Sequence, residues 1–390
     1  MISSICNEAY STTLTTCLHD IRFHFASNTP NSIQCLEPYL HSQEKSDRTV
    51  TDIYMYHCHN TLLLNNLIRF ATTFSNTKDI ETFRNIWHKE YFDKVCGHEI
   101  RIYLPLSGET YAIIRCDNRV ILATSHMTKK PERFFFHIFR EIVHRVMEDK
   151  GAVVFHAGTV AFEDMGLLVL GPSGSGKTTI ITALLEHTGA KYIANDRTIV
   201  LPSSLHLGTL PMPVSIGLGT IAHSKRLYNY LSLNFDSLHR PQTLTLSNLV
   251  RYKNSLEEEL DNPQKLQLEP QEFAKCFNVS FKAQSQLSLI IVPQIVQRNC
   301  DFKLEKISSF EVKEILSNEC YTPNDPLWVN PWVQRHSSTN DVLCSNARER
   351  ISLISEKIPS VRLTYGTNIN KILNSGHYSY LRDLIRDCIN

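Results

Sequence analysis

The chain has 390 residues, 42% of them hydrophobic, and its 40 Lys and Arg nearly balance 39 Asp and Glu, for a net charge of +1. That balance creates no overall field of the kind that draws nucleic acid or an anionic membrane, so partners have to be argued from sites. The length suits two domains, or one large domain with an appended region, and the apolar fraction suits a soluble globular protein.

Eleven cysteines are scattered from Cys6 to Cys388 without a C-x-x-C pair. This odd, unpatterned count fits reduced thiols better than a disulfide framework. The first residues, MISSICNEAYSTT, lack a basic stretch followed by an apolar one, and no run approaches the roughly 20 apolar residues of a membrane span. The expected compartment is the cytoplasm.

Residues 1–95 are rich in Ser, Thr, Asn, His and Cys, with one apolar helical stretch through Leu62, Leu63, Leu64, Leu67, Ile68 and Phe70. Within them His57-Cys58-His59 has metal-ligand residue types, but neighbours on an extended chain point to alternate sides and no fourth ligand is evident. From about residue 97 short β-like runs follow, with Tyr111–Ile114 and Val120–Ala123 forming a hairpin around Asp117-Asn118. Pro131 opens a helix reaching about Lys150, its apolar face carried by Phe135, Ile138, Phe139, Ile142, Val146 and Met147 and its stop by Gly151.

Val153–Phe155 and Thr159–Phe162 read as strands, Glu163–Gly166 as a turn, and Leu167–Leu170 as a fully apolar strand of a sheet core. A helix over Lys177–Glu186 ends at Gly189, and Lys191–Ala194 starts the next strand. Between about 222 and 283 the chain is polar and charged, including Glu257-Glu-Glu259, and reads as helices with a mobile excursion, either a solvated insertion or a substrate lid. Leu287–Val292 is a central strand stopped by Pro293, followed by a helix near Ser309–Leu316 and a strand near Ser360–Thr364.

Between the apolar strand and its helix lies the most informative segment, Gly171, Pro172, Ser173, Gly174, Ser175, Gly176, Lys177, Thr178 and Thr179. The spacing Gly-x-x-x-x-Gly-Lys-Thr is that of a phosphate-binding loop, in which backbone N–H groups wrap a phosphate, Lys177 reaches the outer phosphates and Thr178 ligates magnesium. ATPases, GTPases, transporters and kinases share such a loop, so the position of the acid decides between them. The usual acid at the end of a distant apolar strand is missing, because the best candidate ends Val292-Pro293-Gln294. Asn195-Asp196 instead ends the strand after the loop helix, where a parallel β-α-β unit returns the chain beside the phosphates. There Asp196 takes the proton of an attacking hydroxyl or holds magnesium through water, and a plain turn aspartate is the alternative. His156, ending the strand before the turn, either faces the γ-phosphate or is structural. Glu163 and Asp164 read as turn residues.

Phe155-His156-Ala157-Gly158, the loop at Gly171–Thr179, Gly189-Ala190 and Ala194-Asn195-Asp196 together resemble, in order and spacing, HPr kinase/phosphorylase and the HPr-kinase-like serine kinases. Phosphoenolpyruvate carboxykinases, with a similar loop and a nearby Asp-Asp, are more distant. The likeness covers roughly 98–370 and is strongest at 153–200, with weaker echoes at Leu287–Pro293 and Ile358–Gly366. The resemblance implies an α/β fold: a P-loop HPr-kinase-like domain over 96–390, with a central mixed sheet flanked by helices; residues 1–95, a mostly helical or α+β region, match nothing in that family, and their role is open, substrate recognition being one candidate. It implies ATP and Mg2+ as cofactors, Lys177 on the β- and γ-phosphates, Thr178 and Asp196 at magnesium, Asp196 as general base and His156 near the transferred group.

The sequence departs from that family where Asn195 replaces the first of two aspartates, and where Gly217-Leu-Gly219 follows Val214-Ser-Ile216 rather than an acidic and a basic residue, which puts phosphorylase activity in doubt. The leading expectation is a kinase acting on a serine-type hydroxyl of a protein, peptide or small molecule. Its rivals are a small-molecule or carboxykinase-like enzyme and a nucleotide-binding regulator that hydrolyses ATP slowly. Arg197, Lys225, Arg226 and Arg362 are candidate acceptor-binding charges or plain surface charges. The implied partners are ATP and a hydroxyl-bearing acceptor, with neither nucleic acid nor membrane indicated and a homo-oligomer left open.

Overall fold

Alternating and fully apolar runs build two large mixed sheets flanked by helices. The structure is a computed structural model that describes residues 10–40, 50–83, 86–108, 110–202, 204–237, 245–247, 249–250, 265–296, 299–325, 330–366, 369, 383 and 386–387. The chain divides into one unit of Met1–Lys150 with Asn324–Thr339 and a second of Gly151–Pro323 with Asn340–Asn390.

In the first unit β1 (Thr12–Leu18), β2 (Ile21–Ser27), β3 (Thr51–His59), β4 (Asn76–Phe83), β5 (Ile86–Val95), β6 (His98–Pro105), β7 (Tyr111–Cys116) and β8 (Arg119–Thr124) form one sheet in the order β1-β2-β3-β8-β7-β6-β5-β4. Only β2–β3 and β3–β8 pair in parallel. After a short α1 (Asn31–Gln34), α2 (Thr61–Ala71) and α3 (Pro131–Asp149) cover the sheet. Leu64, Leu67 and Ala71 of α2 pack with Cys58, Ala112, Ile114, Ile121 and Ala123, whereas Phe135 and Phe139 of α3 meet Phe23 and Phe25. Met55 and Val120 share the parity of Phe25, so the two helices take opposite faces, as the alternation of a pleated strand requires.

A division near residue 95 is therefore corrected. The shift in composition falls at Cys96-Gly97, the positive-φ turn of the β5–β6 hairpin, and β6–β8 complete the sheet begun upstream. The region before it is α+β rather than mostly helical, because its Thr- and Tyr-rich alternating runs pair as strands. The segment 330–339 also belongs here: Trp332 is fully buried and its carbonyl accepts a hydrogen bond from Tyr103 Oη at 2.8 Å. Along α3, Glu141, Arg145 and Glu148 are all fully buried, with Arg145 bonding both acids. Burial pushes the Glu141 carboxyl up to about 7. Such charges stay in a core only when they satisfy one another.

The second unit holds β9 (Val153–Phe155), β10 (Ala157–Phe162), β11 (Met165–Leu170), β12 (Lys191–Ala194), β13 (Thr198–Val200), β14 (His206–Thr209), β17 (Gln284–Val296), β18 (Lys303–Lys306) and β19 (Ser360–Gly366) in one sheet, with β15 (Val214–Gly217) and β16 (Lys265–Leu268) paired apart from it. The helices are α4 (Lys177–His187), α5 (Leu218–His223), α6 (Lys225–Leu233), α7 (Pro270–Phe277), α8 (Ser309–Asn318) and α9 (Asn340–Lys357). The strand order is β12-β10-β11-β17-β14-β13-β9, with β19 on the far half of β17.

The central strands are apolar throughout because both faces are covered. Leu167 and Val169 face a cluster with Ile180, Ile181 and Leu184 of α4, while Leu168 and Leu170 face Val312 and Leu316 of α8 and Ile351 and Ile354 of α9. Strand β17 passes through Pro293 instead of stopping there. β11 ends at Leu170, so Pro293 lies past the end of that neighbour, and β19 continues the pairing on the other side. The expected turn at 163–166 shrinks to Glu163-Asp164, with Gly166 inside β11. Of the polar excursion, α5–α7 and β16 are described, and Glu257–Glu259 lie outside the described residues. Among the described residues no helix is long and apolar enough to cross a membrane.

Gly166 is required by close approach, since a Cβ there would lie 2.6 Å from Gln286 O and 2.9 Å from Leu207 Cδ1. Gly166→Ala is expected to destabilise the second unit by about 1–3 kcal/mol in chemical denaturation. Gly217→Ala, whose Cβ meets nothing within 4 Å, is expected to leave stability unchanged.

Candidate functional site

Three chain segments meet at one end of the second unit's sheet because of strand register. Strand β10 begins at Ala157 opposite Leu170, the last residue of β11, and Thr159 lies opposite Ala194, the last residue of β12. The residues just outside these ends are His156, Gly171 and Asn195-Asp196. The β11-α4-β12 connection differs from a simple β-α-β unit in that β10 sits between the two parallel strands, pairing antiparallel with both.

The loop from Gly171 runs into α4, whose N-cap is Gly176 at φ +96 with no side-chain cap. A Cβ at Gly176 would fall 1.7 Å from Tyr365 Oη, which donates to Gly176 O at 3.2 Å, so only glycine fits. The N-terminal N–H groups of this three-turn helix and the positive end of its dipole make the loop suited to an anion. Lys177 is buried and donates to Gly171 O at 2.5 Å and Pro172 O at 3.0 Å. Burial pushes its amine down to about 8, with Lys265 pushing the same way and Glu319 and Asp196 opposing.

Asp196 has φ +71, a left-handed conformation that Asp and Asn tolerate best among non-glycine residues. Its carboxylate is about one third exposed, and His156 Nε2 lies 3.8 Å from Asp196 Oδ1. On the other edge of the ring, His156 Nδ1 lies 2.9 Å from Glu319 Oε2. Asn195 is buried, and Gly158 makes room for it: a Cβ on Gly158 would come within 3.0 Å of Asn195 Oδ1 and 2.9 Å of Ile181 Cγ1.

A cavity of about 260 Å³ is lined by His156, Ser173, Gly174, Gly176, Lys177, Thr178, Thr179, Asn195 and Asp196. Ser215, Gly217–Thr220, His223, Lys265, Ile295, Tyr365, Gly366 and Ile369 complete its lining. Its size is near the lower end of small-molecule sites, about 300–1,000 Å³. Gly171, Pro172 and Ser175 shape the loop without lining the cavity, Gly171 approaching Ser175 so closely that a Cβ would lie 3.0 Å from Ser175 Oγ.

For magnesium, the cavity offers the Thr178 hydroxyl and the Asp196 carboxylate, both hard oxygen donors. Among the described residues no group of three or more His, Cys, Asp or Glu could hold a metal alone. Mg2+ ordinarily arrives with substrate phosphates and one or two protein oxygens, so this sparse set fits that ion. At His57-Cys58-His59, where the sequence argued against a metal, the ring nitrogens of His57 are taken up by hydroxyls, Nδ1 lying 2.6 Å from Thr29 and Ser32 and Nε2 lying 2.9 Å from Thr124.

Sequence reasoning did not single out Glu319, Lys265 or Tyr365. Lys265 arrives through β16, paired opposite Gly217, and Tyr365 through β19. The three candidate arginines and Lys225 are not among the cavity-lining residues. Arg197 is fully buried with its guanidinium 4.9 Å from the Tyr321 ring centroid, Arg226 donates to Phe277 O and Arg362 pairs with Glu311. Lys225 opens α6. Glu163 and Asp164 form the β10–β11 turn, Asp164 pairing with Lys282 at 3.0 Å.

No model of a known protein family matches the chain. No curated protein matches it either.

An amine titrating near 8 carries its proton at neutral pH and loses it just above. A phosphate held against Lys177 would keep it protonated, so the dissociation constant of a phosphate-bearing ligand in this loop is expected to rise by up to about tenfold per pH unit above pH 8. Lys177→Arg should flatten that rise in a fluorescent-nucleotide displacement assay, and a flat wild-type profile would contradict the placement of Lys177.

Proposed function

We propose that the protein is an ATP-dependent phosphotransferase that passes the γ-phosphoryl group to a hydroxyl, of the serine type, on a protein, peptide or small molecule. The observation that carries the reading is the convergence of Lys177 at a phosphate-type loop with Asp196 and His156 on one cavity. The resemblance of these segments to the HPr-kinase-like serine kinases gives the same reading from the sequence.

In this mechanism the N-terminal N–H groups of α4 and the Lys177 ammonium hold the phosphates, and Lys177 exchanges its bonds to Gly171 O and Pro172 O for phosphate oxygens. Thr178, and Asp196 through water, would hold Mg2+, which when bound neutralises phosphate charge. The acceptor hydroxyl enters beside Asp196. Its oxygen forms the new bond to phosphorus as the bond to the leaving ADP oxygen breaks, and its proton passes to the Asp196 carboxylate. His156 Nε2 faces the same space. The Lys265 side supplies a second positive charge toward the transferred group or an anionic acceptor.

The reading is tested with γ-labelled ATP, Mg2+ and an extract of the source cell. Asp196→Asn keeps a residue suited to the positive φ and is expected to bind ATP normally while transferring label about 100- to 10,000-fold more slowly. Lys177→Met is expected to lose binding as well. Full transfer by Asp196→Asn would remove the base from the mechanism, and a wild type that releases label only to water would favour a regulatory ATPase.

A further inference from the structure

The phosphate loop and Asp196 do not account for one buried feature of the site, the carboxylate at Glu319. It follows α8 as the C-cap residue, and its side chain is only 11% exposed. The chain after it is stitched to β9. His156 N–H donates to Glu319 O at 2.8 Å, Tyr321 N–H donates to Val154 O at 2.8 Å, Val154 N–H donates to Thr322 Oγ1 at 3.0 Å, and Phe155 bridges to Cys320. These bonds fix the Glu319 backbone relative to His156 without any help from its side chain.

The side chains add a second restraint. The Tyr321 ring stacks on the His156 imidazole, 5.6 Å between centroids and 16° between planes, and is itself backed by the Arg197 guanidinium. Glu319 Oε2 lies 2.9 Å from Nδ1. A carboxylate accepts only, so Nδ1 is the N–H edge of the ring and Nε2 is the edge turned to the cavity and to Asp196. The imidazole is thus held on one edge and one face, with a single nitrogen presented to the reacting groups.

We infer that Glu319 is a positioning residue: through its bond to Nδ1 it fixes the tautomer and direction of His156, so that Nε2 meets the group being transferred. The inference rests on the phosphotransfer reading above. It also gives the site a carboxylate beyond Asp196, one that acts on the histidine and is separate from the position where Asn195 stands.

The test combines kinetics with a spectroscopic signature. With the acceptor identified from the labelling assay, Glu319→Ala is expected to lower kcat by up to about 100-fold, as expected for a misplaced reacting group, while KM for ATP stays within about twofold. Glu319→Gln, whose amide oxygen still accepts from Nδ1–H, is expected to recover most of the rate. In a His156→Ala background, Glu319→Ala should add no further loss. Nitrogen-15 NMR of the full chain with labelled histidine should show His156 protonated at Nδ1, with that signature lost in Glu319→Ala.

An equal loss from Glu319→Ala with and without His156, or a wild-type His156 protonated only at Nε2, would overturn the inference. If the wild type transfers no phosphate but His156 shows the Nδ1–H signature that Glu319→Ala abolishes, the pairing stands and the failure lies with the phosphotransfer reading. Loss of folding in Glu319→Ala leaves the comparison to Glu319→Gln, which keeps the acceptor oxygen: loss of the Nδ1–H signature, or a kcat loss as large as that of His156→Ala, would then count against positioning.

Discussion

The site depends on the burial of β11 on both faces. Leu167 and Val169 are held by α4 and Leu168 and Leu170 by α8 and α9, so the strand cannot slip by one residue without exchanging one packed set for the other. Because β10 and β17 pair with it on either side, this register fixes where Gly171 leaves the sheet and where His156 enters it. β12 follows from β10, and with it Asp196. The chemistry-bearing residues occupy the ends of strands whose middles are locked by packing, which lets the left-handed conformation at Asp196 persist.

What was legible in the sequence was local. The strand at Leu167, the loop, the helix from Lys177 and the strand to Ala194 each announce themselves through apolar runs, glycines and caps within thirty residues, and the structure places them as expected. The register that brings His156 to Gly171 was legible only in part, because the turn expected over 163–166 is Glu163-Asp164, which moves the β10–β11 pairing by two residues. Residues that reach the cavity through distant pairing gave no such signal. Tyr365 depends on β19 joining β17 in parallel and Lys265 on β16 joining β15, while Glu319, which meets His156 without lining the cavity, depends on a backbone bridge to β9 formed after more than 160 intervening residues. Tyr365 lies in the weak echo at Ile358–Gly366 with nothing to single it out there, Lys265 and Glu319 lie in no motif, and each is an ordinary residue type for a surface or core.

The division of the chain was misread for a related reason. A change in composition near residue 95 looks like a domain boundary, but Cys96-Gly97 is a hairpin turn, and sheets hide their continuity by pairing strands across such breaks. The stretch 330–339 is harder still, since nothing in its sequence states that Trp332 fills a core built mainly from residues before 125. Pro293 misled in the opposite direction, because a missing N–H ends a strand only where a neighbour needs that donor.

The central claim is that the loop at Gly171–Thr179 and the strand ends at His156 and Asp196 form one phosphoryl-transfer site. Its most direct test is an experimental structure with a non-hydrolysable ATP analogue and Mg2+. The β- and γ-phosphates are expected in the loop, with Lys177 Nζ turned from its backbone carbonyls to the phosphate oxygens and the terminal phosphate facing Asp196 and His156. A nucleotide bound elsewhere, or a terminal phosphate directed away from Asp196 with Lys177 still on Gly171 O, would contradict it.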